Sequence, residues 1–335
     1  MNLKEMMKLN LLEQLDKASN IAIGGHIRPD GDCVGAVLAT YLYLKKMLPE
    51  AKVTAYLEQP TDIFNGIKGI DEISTSIDGA VDPDVFIVLD CTKDRLGFSE
   101  SLYDRATKTL NIDHHISNTG CADVNLVVPE ASATCEVLYD VIGKEGMDEN
   151  IAKALYIGII HDTGVLQYSN TSPKTMRIVA DIMEYDLDFS DIIQKTFYEK
   201  TYIQTQILGR ALLESFRFMD GQCVVCAVSK KDMNFYGVTS KDLDGIVNQL
   251  INIKGVECAI FMYETGVLEY KVSMRSKGKV DVSQISVLFG GGGHVRAAGC
   301  TLNGTMHDVV NNLSRHIEKQ LLEADERDRL QIDAV

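Results

Sequence analysis

The chain has 335 residues, of which 45% are hydrophobic and 24% are charged, a composition typical of a globular protein with a sizeable core and long enough for two domains. Its formal net charge of −15 argues against binding long nucleic acid, because the phosphate backbone would be repelled. An anionic ligand should therefore be small and held by a few local cations or metals.

The first half of the chain alternates between strand and helix patterns. Short apolar segments predict strands at 20–25, 51–57, 84–90 and 108–113. Apolar residues at helical spacing predict helices at 33–47, 99–106, 131–146 and 149–161. Strands separated by helices favour a largely parallel sheet, so we predict an α/β domain over residues 1–186.

The second half predicts a different arrangement. A polar, helix-rich connector is predicted at 187–215, and a second, smaller α/β domain is predicted at 216–325. Its strands are predicted at 216–219, 222–229, 256–263 and 267–275, and its helices at 241–253 and 305–323. The charged tail from residue 323 onward is expected to fray.

The sequence shows no sign of export. No apolar run reaches the ~18 residues of a membrane span, and residues 1–20 predict an amphipathic helix because Glu and Asp interrupt their apolar residues. The only C-x-x-C pair, Cys223 and Cys226, lies in a predicted strand and would face opposite sides of it. We therefore expect reduced, buried thiols, no membrane partner and a cytoplasmic protein.

Three predicted strands and one predicted helix each end in, or are followed by, aspartate or histidine. These residues are His26, Asp30, Asp32, Asp90, Asp113, His114, His115 and Asp162. Taken alone, Asp32 could be only a helix N-cap and "PDGD" only a turn. Because the carboxyl ends of parallel strands meet at one edge of a sheet, where ligands bind, we expect the eight side chains to converge.

Converging carboxylates would repel one another and raise each other's pKa. Two divalent cations would balance the four charges of Asp30, Asp32, Asp90 and Asp162. Carboxylate and imidazole donors without thiolate favour Mn²⁺, Mg²⁺, Co²⁺ or Zn²⁺ over a structural zinc–thiolate site. We predict two divalent ions, with Mn²⁺ as the first choice.

Five motifs carry a family resemblance. "HIRPDGD", "VLD", "DHH" and "HDTG" resemble, in order and spacing, the four motifs of the DHH phosphoesterase superfamily. "GGGGHVRAAGC" (290–300) resembles the glycine-rich signature of its DHHA1 domain. The resemblance spans about residues 15–320. In size and arrangement, the chain is similar to the stand-alone oligoribonuclease/pAp-phosphatase branch of the superfamily. It implies an α/β fold with an N-terminal parallel-sheet DHH domain and a smaller C-terminal DHHA1 domain.

The resemblance also implies roles for single residues. Two metal positions would share Asp90. The first would be held by His26, Asp30 and Asp90, and the second by Asp32, Asp90, His114 and Asp162. His115 would face the substrate phosphate, and Asp113 would orient an imidazole as its acceptor. His161 receives no role, because on a continuing helix it points away from the direction of Asp162.

A second set of residues is predicted to bind substrate. A glycine loop that enters a helix exposes backbone N–H groups to an anion, and cationic or donor side chains near it add to the attraction. The predicted residues are Arg275, Gly291, Gly292, Gly293, His294, Arg296 and Arg95. Ser132 could also touch substrate near a helix start. The resemblance implies that the DHHA1 domain grips the end of the substrate that does not react.

We therefore predict hydrolysis of short oligoribonucleotides, from dinucleotides to a few residues, to nucleoside 5′-monophosphates, together with hydrolysis of pAp to AMP. A phosphodiesterase for cyclic or linear dinucleotides uses the same site architecture and stays open. A RecJ-like exonuclease should be longer and carry aromatic grooves, and this chain has no tryptophan. A family II pyrophosphatase lacks a GGGGH loop, and a non-catalytic nucleotide sensor should have lost ligands. A homodimer is one assembly that the sequence leaves open.

Overall fold

The structure is a computed structural model that describes residues 10–332. Contacts between residues divide the chain into two compact units between Glu199 and Lys200. The predicted connector, 187–215, is therefore shared between the units. Most of the predicted N-terminal helix lies outside the described residues, and its described part forms the four-residue helix α1 (Leu11–Gln14).

The N-terminal unit is built on a five-stranded parallel sheet with the order β2-β1-β3-β4-β5. The strands are β1 (Asn20–Gly24), β2 (Lys52–Tyr56), β3 (Val85–Leu89), β4 (Lys108–Asp113) and β5 (Val124–Val127). The first four coincide with predicted segments. The fifth has no predicted counterpart, because it is only four residues long and none of them is buried.

Six further α-helices occur in the described part of this unit. They are α2 (Gly31–Met47), α3 (Glu100–Tyr103), α4 (Thr134–Gly146), α5 (Glu149–Asp162), α6 (Pro173–Ile182) and α7 (Phe189–Ile193). Helix α3 is shorter than predicted, because the N–H groups of Arg105 and Ala106 bond to carbonyls three residues back and tighten its end.

Helices α2 and α5 approach each other closely in the core of the N-terminal unit. A Cβ placed on Gly35 would lie 2.5 Å from the carbonyl oxygen of Ala154, and one placed on Gly158 would lie 2.7 Å from a carboxylate oxygen of Asp32. Gly31, at the start of α2, lies against His161, near the end of α5. The two helices are therefore antiparallel, and this brings the start of α2 beside the end of α5.

The C-terminal unit contains a six-stranded mixed sheet with the order β10-β11-β9-β8-β7-β6, in which only β7 and β8 are parallel. The strands are β6 (Phe216–Phe218), β7 (Cys223–Val228), β8 (Cys258–Gly266), β9 (Glu269–Ser276), β10 (Gly292–His294) and β11 (Ala297–Asn303). The helices are α8 (Tyr202–Leu213), α9 (Lys230–Tyr236), α10 (Ile246–Ile251), α11 (Val282–Leu288) and α12 (Met306–Ile332). These two units confirm the predicted α/β fold.

Helices cover both faces of this mixed sheet. Cys223 packs in an apolar cluster with residues of α11 and α12, and Cys226 packs in a separate cluster with residues of α8, α9 and α10. The prediction that the C-x-x-C pair faces opposite sides of a strand is confirmed. Every cysteine is reduced, and all but the half-buried Cys121 are buried.

The end of the chain departs from the prediction. Helix α12 continues to Ile332, whereas the sequence predicts a helix that ends at residue 323. The helix is held there because Ala324 is buried and Lys279 Nζ lies 2.6 Å from Asp325 Oδ1. Among the described helices, none combines the length and the apolar character required to cross a bilayer.

The close approach of α2 and α5 yields a stability prediction. Replacing Gly35 by alanine should destabilise the protein by about 1–3 kcal/mol, because the added methyl group meets backbone atoms that cannot move aside. The matched control is Gly209→Ala in α8, where a Cβ meets nothing within 4 Å, and which should be stabilising by up to about 1 kcal/mol. Thermal melting followed by circular dichroism measures both, and equal effects would contradict the packing.

Candidate active site

The candidate site lies at the carboxyl ends of β1, β3 and β4, which are neighbours in the parallel sheet. The chain leaves β1 for β2 on one side and returns to β3 on the other, so this is a topological switch point, where α/β sheets bind ligands. Asp90 comes directly after β3 with a left-handed backbone (φ +60°), a conformation that is uncommon for a residue other than glycine. This turn places its carboxylate at the centre of the site.

Asp90 is 2% exposed and is surrounded by three imidazoles. Its carboxylate lies 3.5 Å from His26 Nε2, 3.8 Å from His114 Nε2 and 3.6 Å from His115 Nδ1. The hydroxyl of Thr134 donates to Asp90 Oδ1 at 2.9 Å. Asp90 is thus the residue that links the histidines supplied by the different loops.

The HIRPDGD loop places His26 and Asp30 together. His26 Nε2 lies 3.6 Å from Asp30 Oδ1, and His26 Nδ1 lies 2.9 Å from the carbonyl oxygen of Ile27. Asp30 is the N-cap of α2, because its Oδ1 accepts from the backbone N–H groups of Asp32 and Cys33. The interpretation of Asp32 as the cap is therefore wrong.

Asp32 is buried and faces the start of α4. Its two carboxylate oxygens accept from the backbone N–H groups of Thr134, at 2.6 Å, and Cys135, at 3.0 Å. The closest approach of His114 Nε2 to this carboxylate is 4.0 Å. The Asp32 carboxylate is therefore oriented by backbone N–H groups of the first turn of α4.

His114 and Asp162 join the last predicted segment to the site. His114 Nε2 lies 3.1 Å from Asp162 Oδ2, and His114 Nδ1 lies 3.2 Å from the carbonyl oxygen of Ala131. The antiparallel packing of α5 on α2 delivers Asp162 to this position. All six predicted metal ligands are consequently brought to one place.

His115 is held by Asp113, the last residue of β4. His115 Nδ1 lies 2.7 Å from Asp113 Oδ1, which also accepts from the backbone N–H groups of His114 and His115. The amide of Asn118 donates to Asp113 Oδ2 at 2.6 Å and to Asn111 Oδ1 at 2.8 Å. Both predicted catalytic residues are thus fixed by a buried network.

The crowding of acids shifts several pKa values. Burial raises the pKa of Asp90 well above its usual range, and the charges of Asp32, Asp30 and Asp162 raise it further. Burial also raises the pKa of Asp162 to about 6, although the hydrogen bond from His114 opposes this. The two carboxylates are costly to ionise side by side without a cation.

Two imidazoles beside these carboxylates have raised pKa values. Burial by itself lowers the pKa of His114, but the hydrogen bond to Asp162 and the charges of Asp32 and Asp90 outweigh it and raise the pKa to about 10. Burial likewise lowers the pKa of His26, and the neighbouring Cys33 and Asp30 outweigh it and raise the pKa to about 11. A divalent ion would replace these protons as the balancing charge.

The donor atoms fit metal ions. Three overlapping groups have ligand atoms within 4.8 Å of one another. They are Asp32 with His114 and Asp162, Asp90 with His114 and His115, and His26 with Cys33 and Asp90. The first two contain only carboxylate and imidazole donors, which suit Mn²⁺, Mg²⁺, Co²⁺ or Zn²⁺. Since the groups share Asp90 and His114, more than one divalent ion could be held.

His161 and Ser132 lie beside the site, but their side chains pack against other parts of the protein. The ring of His161 lies between Phe64 and Phe197, with centroids 5.3 and 5.6 Å away, and against the backbone of Gly31. Ser132 is fully buried and its hydroxyl donates to Glu136, so its suggested contact with substrate is wrong. Both side chains pack around the site rather than open into it.

The glycine-rich segment does not have the predicted geometry. Gly291 follows α11, and Gly292, Gly293 and His294 form β10, which makes a hairpin with β11, so the predicted entry into a helix is wrong. A Cβ on Gly291 would lie 2.2 Å from the carbonyl oxygen of Gly299, and Gly293 has φ +139°. Gly291 and Gly293 are needed because a Cβ at either position would meet the backbone of β11.

The hairpin nevertheless places two predicted donors in one row. His294 pairs with Ala297 on β11, which pairs with Arg275 on β9, so these three side chains share one face of the sheet. Arg275 Nε donates to Asn248 Oδ1 at 3.1 Å, while Arg296 is exposed in the hairpin turn with its guanidinium beside Gly278.

Arg95 belongs to the N-terminal unit. It is exposed on a 3₁₀ turn after β3, and its carbonyl oxygen accepts from the N–H of Ile27. It therefore neighbours the HIRPDGD loop.

Sequence reasoning missed several polar residues that hold the site together. Thr134 reads as part of a helix start, and nothing in its sequence neighbourhood indicates a bond to a residue 44 positions away. Asn111 carries a signal, because it is a polar residue within the apolar strand "TLNID", and it is fully buried. Such a buried amide should have a structural partner, and here its Nδ2 donates to the carbonyl oxygens of Val88 and Cys91.

Known proteins resemble this chain over most of its length. Residues 20–159 match the DHH family, N-terminal domain, and residues 220–323 match the DHHA1 domain. The bifunctional oligoribonuclease and PAP phosphatase NrnA of Thermus thermophilus is 28% identical over 306 residues, which cover 89% of each chain. The protein of that name from Bacillus subtilis is 25% identical over 302 residues, covering 88% of this chain and 93% of its own.

A solved structure shares the fold. The crystal structure of an exopolyphosphatase-related protein from Bacteroides fragilis superposes with a TM-score of 0.86 at 23% sequence identity, covering 94% of this chain and 96% of its own. The two matched domains occur in the order and at the positions of the two units described above. Through these two domains, the chain belongs to the DHH/DHHA1 family.

Proposed function

We propose that this protein is a metal-dependent phosphoesterase that hydrolyses oligoribonucleotides of two to a few residues to nucleoside 5′-monophosphates, and pAp to AMP. The observation that carries the proposal is the cluster of aspartates and histidines around the buried Asp90. The relatives named for oligoribonuclease and PAP phosphatase activity support it, since they match nearly the whole chain.

The metal positions follow the predicted ligand set. We assign His26, Asp30 and Asp90 to one divalent ion and Asp32, Asp90, His114 and Asp162 to the other, with Mn²⁺ as the preferred metal. Bound ions of this kind supply an activated water nucleophile at neutral pH and offset the charge that develops on phosphorus. The protein's part is to orient the donors, which the hydrogen bonds to Asp32, Asp90 and His114 do.

His115 is the residue that we assign to proton transfer and phosphate contact. Its Nδ1 is engaged by Asp113 at 2.7 Å, so Nε2 is the nitrogen that would meet a phosphoryl oxygen or give a proton to the leaving alcohol. Asp113 keeps this tautomer and ring orientation, and the amide of Asn118 holds Asp113 in turn. This arrangement resembles the general use of a carboxylate to orient a catalytic imidazole.

The C-terminal unit would supply the binding of the rest of the substrate. Arg275 and His294 lie on one face of the sheet with the small Ala297 between them, and Arg296 adds a third donor in the hairpin turn. A guanidinium fork and an imidazole suit a nucleotide phosphate. We assign Arg275, Gly291, Gly292, Gly293, His294, Arg296 and, in the N-terminal unit, Arg95 to substrate binding.

A substrate panel tests the activity directly. Purified protein is incubated with an RNA dinucleotide, an RNA of about 20 residues, pAp, cyclic di-AMP and pyrophosphate, with Mn²⁺ or with chelator, and products are separated by chromatography. The dinucleotide and pAp should be hydrolysed fastest, and only with metal. Preferred turnover of pyrophosphate or of the long RNA, or full activity in chelator, would overturn the proposal.

Two substitutions should abolish this hydrolysis while the protein stays folded. Asp90→Asn removes the charge shared by both metal positions, and His115→Ala removes the proposed proton donor. We expect kcat/KM for the dinucleotide to fall by more than about 10³-fold and by about 10²–10⁴-fold, respectively. The controls are Asp62→Asn and His307→Ala at exposed positions, which should retain full rates. Retained turnover in either site variant would refute its role.

Metal binding should also stabilise the fold. At a Mn²⁺ concentration about 100 times its Kd, stabilisation is about 2.7 kcal/mol, which corresponds to a rise in Tm of roughly 5–10 °C for a domain of this size. Differential scanning fluorimetry with and without Mn²⁺ measures the rise. Asp90→Asn should lose most of it and Asp62→Asn none. An unchanged Tm in the wild-type protein would argue against a metal centre among these residues.

A further inference from the structure

The loop at 131–135, whose last two residues begin α4, contacts three of the proposed metal ligands. The hydroxyl of Thr134 donates to Asp90, and the N–H groups of Thr134 and Cys135 donate to Asp32. The carbonyl oxygen of Ala131 lies 3.2 Å from His114 Nδ1. Because most of these contacts are made by the backbone, the position of this loop sets the orientation of all three ligands.

Glu136 holds this loop through hydrogen bonds to Ser132. It is a carboxylate in the first turn of α4 and is only 1% exposed. Its Oε2 accepts from the hydroxyl of Ser132 at 2.7 Å and from the N–H of Ser132 at 3.3 Å. Glu136 thus reaches back to the residue that lies between the two parts of the loop that contact ligands.

The same carboxylate is tied to α6. Thr175 Oγ1 donates to Glu136 Oε2 at 2.7 Å, and Lys174 Nζ lies 3.5 Å from Glu136 Oε1. A buried charge is tolerated only when it is well hydrogen-bonded or paired, and these donors meet that condition. Burying a glutamate costs more free energy than burying an apolar side chain. We therefore expect Glu136 to do more than pack α4 against α6.

Asn170 joins the fourth ligand segment to the loop. Its Nδ2 donates to the carbonyl oxygen of Ser132 at 3.0 Å and to that of Asp162 at 3.1 Å. The side chain of Asp162 contacts His114, another proposed metal ligand. Ser132 is therefore gripped on both sides, by Glu136 through its hydroxyl and N–H and by Asn170 through its carbonyl.

We propose that Glu136 and Asn170 are positioning residues for the metal centre. They act through Ser132 and its loop on Asp32, Asp90 and His114, and through the backbone of Asp162, without touching metal or substrate. This inference rests on the proposed function, because it concerns the same site. Groups that orient metal ligands typically change metal affinity or activity by about 10–100-fold when they are removed.

A merely structural role for Glu136 makes a different prediction. If its hydrogen bonds only stabilised the contact between α4 and α6, substitution would lower Tm but leave the metal affinity of the folded protein unchanged. Mn²⁺ affinity measured by calorimetry well below Tm distinguishes the two roles. A conservative variant adds a second distinction, because the amide oxygen of glutamine can still accept from Ser132 and Thr175.

The experiment compares Glu136→Ala, Glu136→Gln and Asn170→Ala with the control Glu145→Gln, an exposed glutamate of the same helix. Glu136→Ala should weaken Mn²⁺ binding by about 10–100-fold and lower kcat more than it raises KM. Glu136→Gln should bind Mn²⁺ with an affinity within about threefold of the wild-type value, since the glutamine amide oxygen can still accept these hydrogen bonds. Asn170→Ala, at an exposed position, should weaken binding by at least about threefold, and the control should not change.

The outcomes separate this inference from the proposed function. Wild-type Mn²⁺ affinity in a folded Glu136→Ala variant would overturn the inference, whereas hydrolysis by the wild-type protein would still support the function. If Glu136→Ala does not fold, Asn170→Ala decides, and an unchanged affinity there overturns the inference. A wild-type protein that hydrolyses no phosphoester and binds no metal would defeat both.

Discussion

The repulsion among carboxylates around Asp90 is the constraint on which the N-terminal unit depends. Asp32 and Asp90 are almost completely buried, and Asp30 and Asp162 lie close enough to raise the pKa of Asp90. Like charges in a medium of low dielectric constant interact much more strongly than in water. The fold must therefore hold these groups together against their own electrostatics, and it does so with hydrogen bonds from backbone, threonine and histidine.

Several structural features serve that purpose. The left-handed backbone of Asp90 costs of order 1–3 kcal/mol, and it is retained because it turns the carboxylate into the space shared by three histidines. Gly35 and Gly158 allow α2 and α5 to touch, which sets Asp162 beside His114. The N-terminal turn of α4 presents N–H groups to Asp32. Each feature either costs stability or limits which residues can occupy a position. In return, each one orients a side chain of the site.

The fold and the convergence of aspartates and histidines at one sheet edge were accessible from sequence because they follow from alternation and polarity. Apolar strands separated by helices predict a parallel sheet, and an aspartate or histidine directly after such a strand must lie at its carboxyl edge. The hairpin of β10 and β11 was not accessible, because four consecutive glycines carry no periodicity and suit a helix entry as well as a turn. Similarly, β5 is too short and too exposed to leave a pattern.

The polar residues that orient the proposed metal ligands also could not be predicted from the sequence. Thr134 and Glu136 read as ordinary members of a helix, and Asn170 reads as a loop residue. Their partners lie 44, 39 and 38 positions away along the chain, and only the folded packing brings them together. Local patterns report which residues face a core, but they do not report which distant polar atoms will meet there.

The division of the chain after Glu199 has a consequence for biosynthesis. Every proposed metal ligand lies between residues 26 and 162, and the unit that contains them ends before residue 200. Since domains generally fold as units and in order during synthesis, a nascent chain can complete the proposed ion-binding centre while the ribosome is still adding the second unit. Cation capture would then help to drive co-translational folding of the first unit, well before the arginines and glycines of the second have emerged.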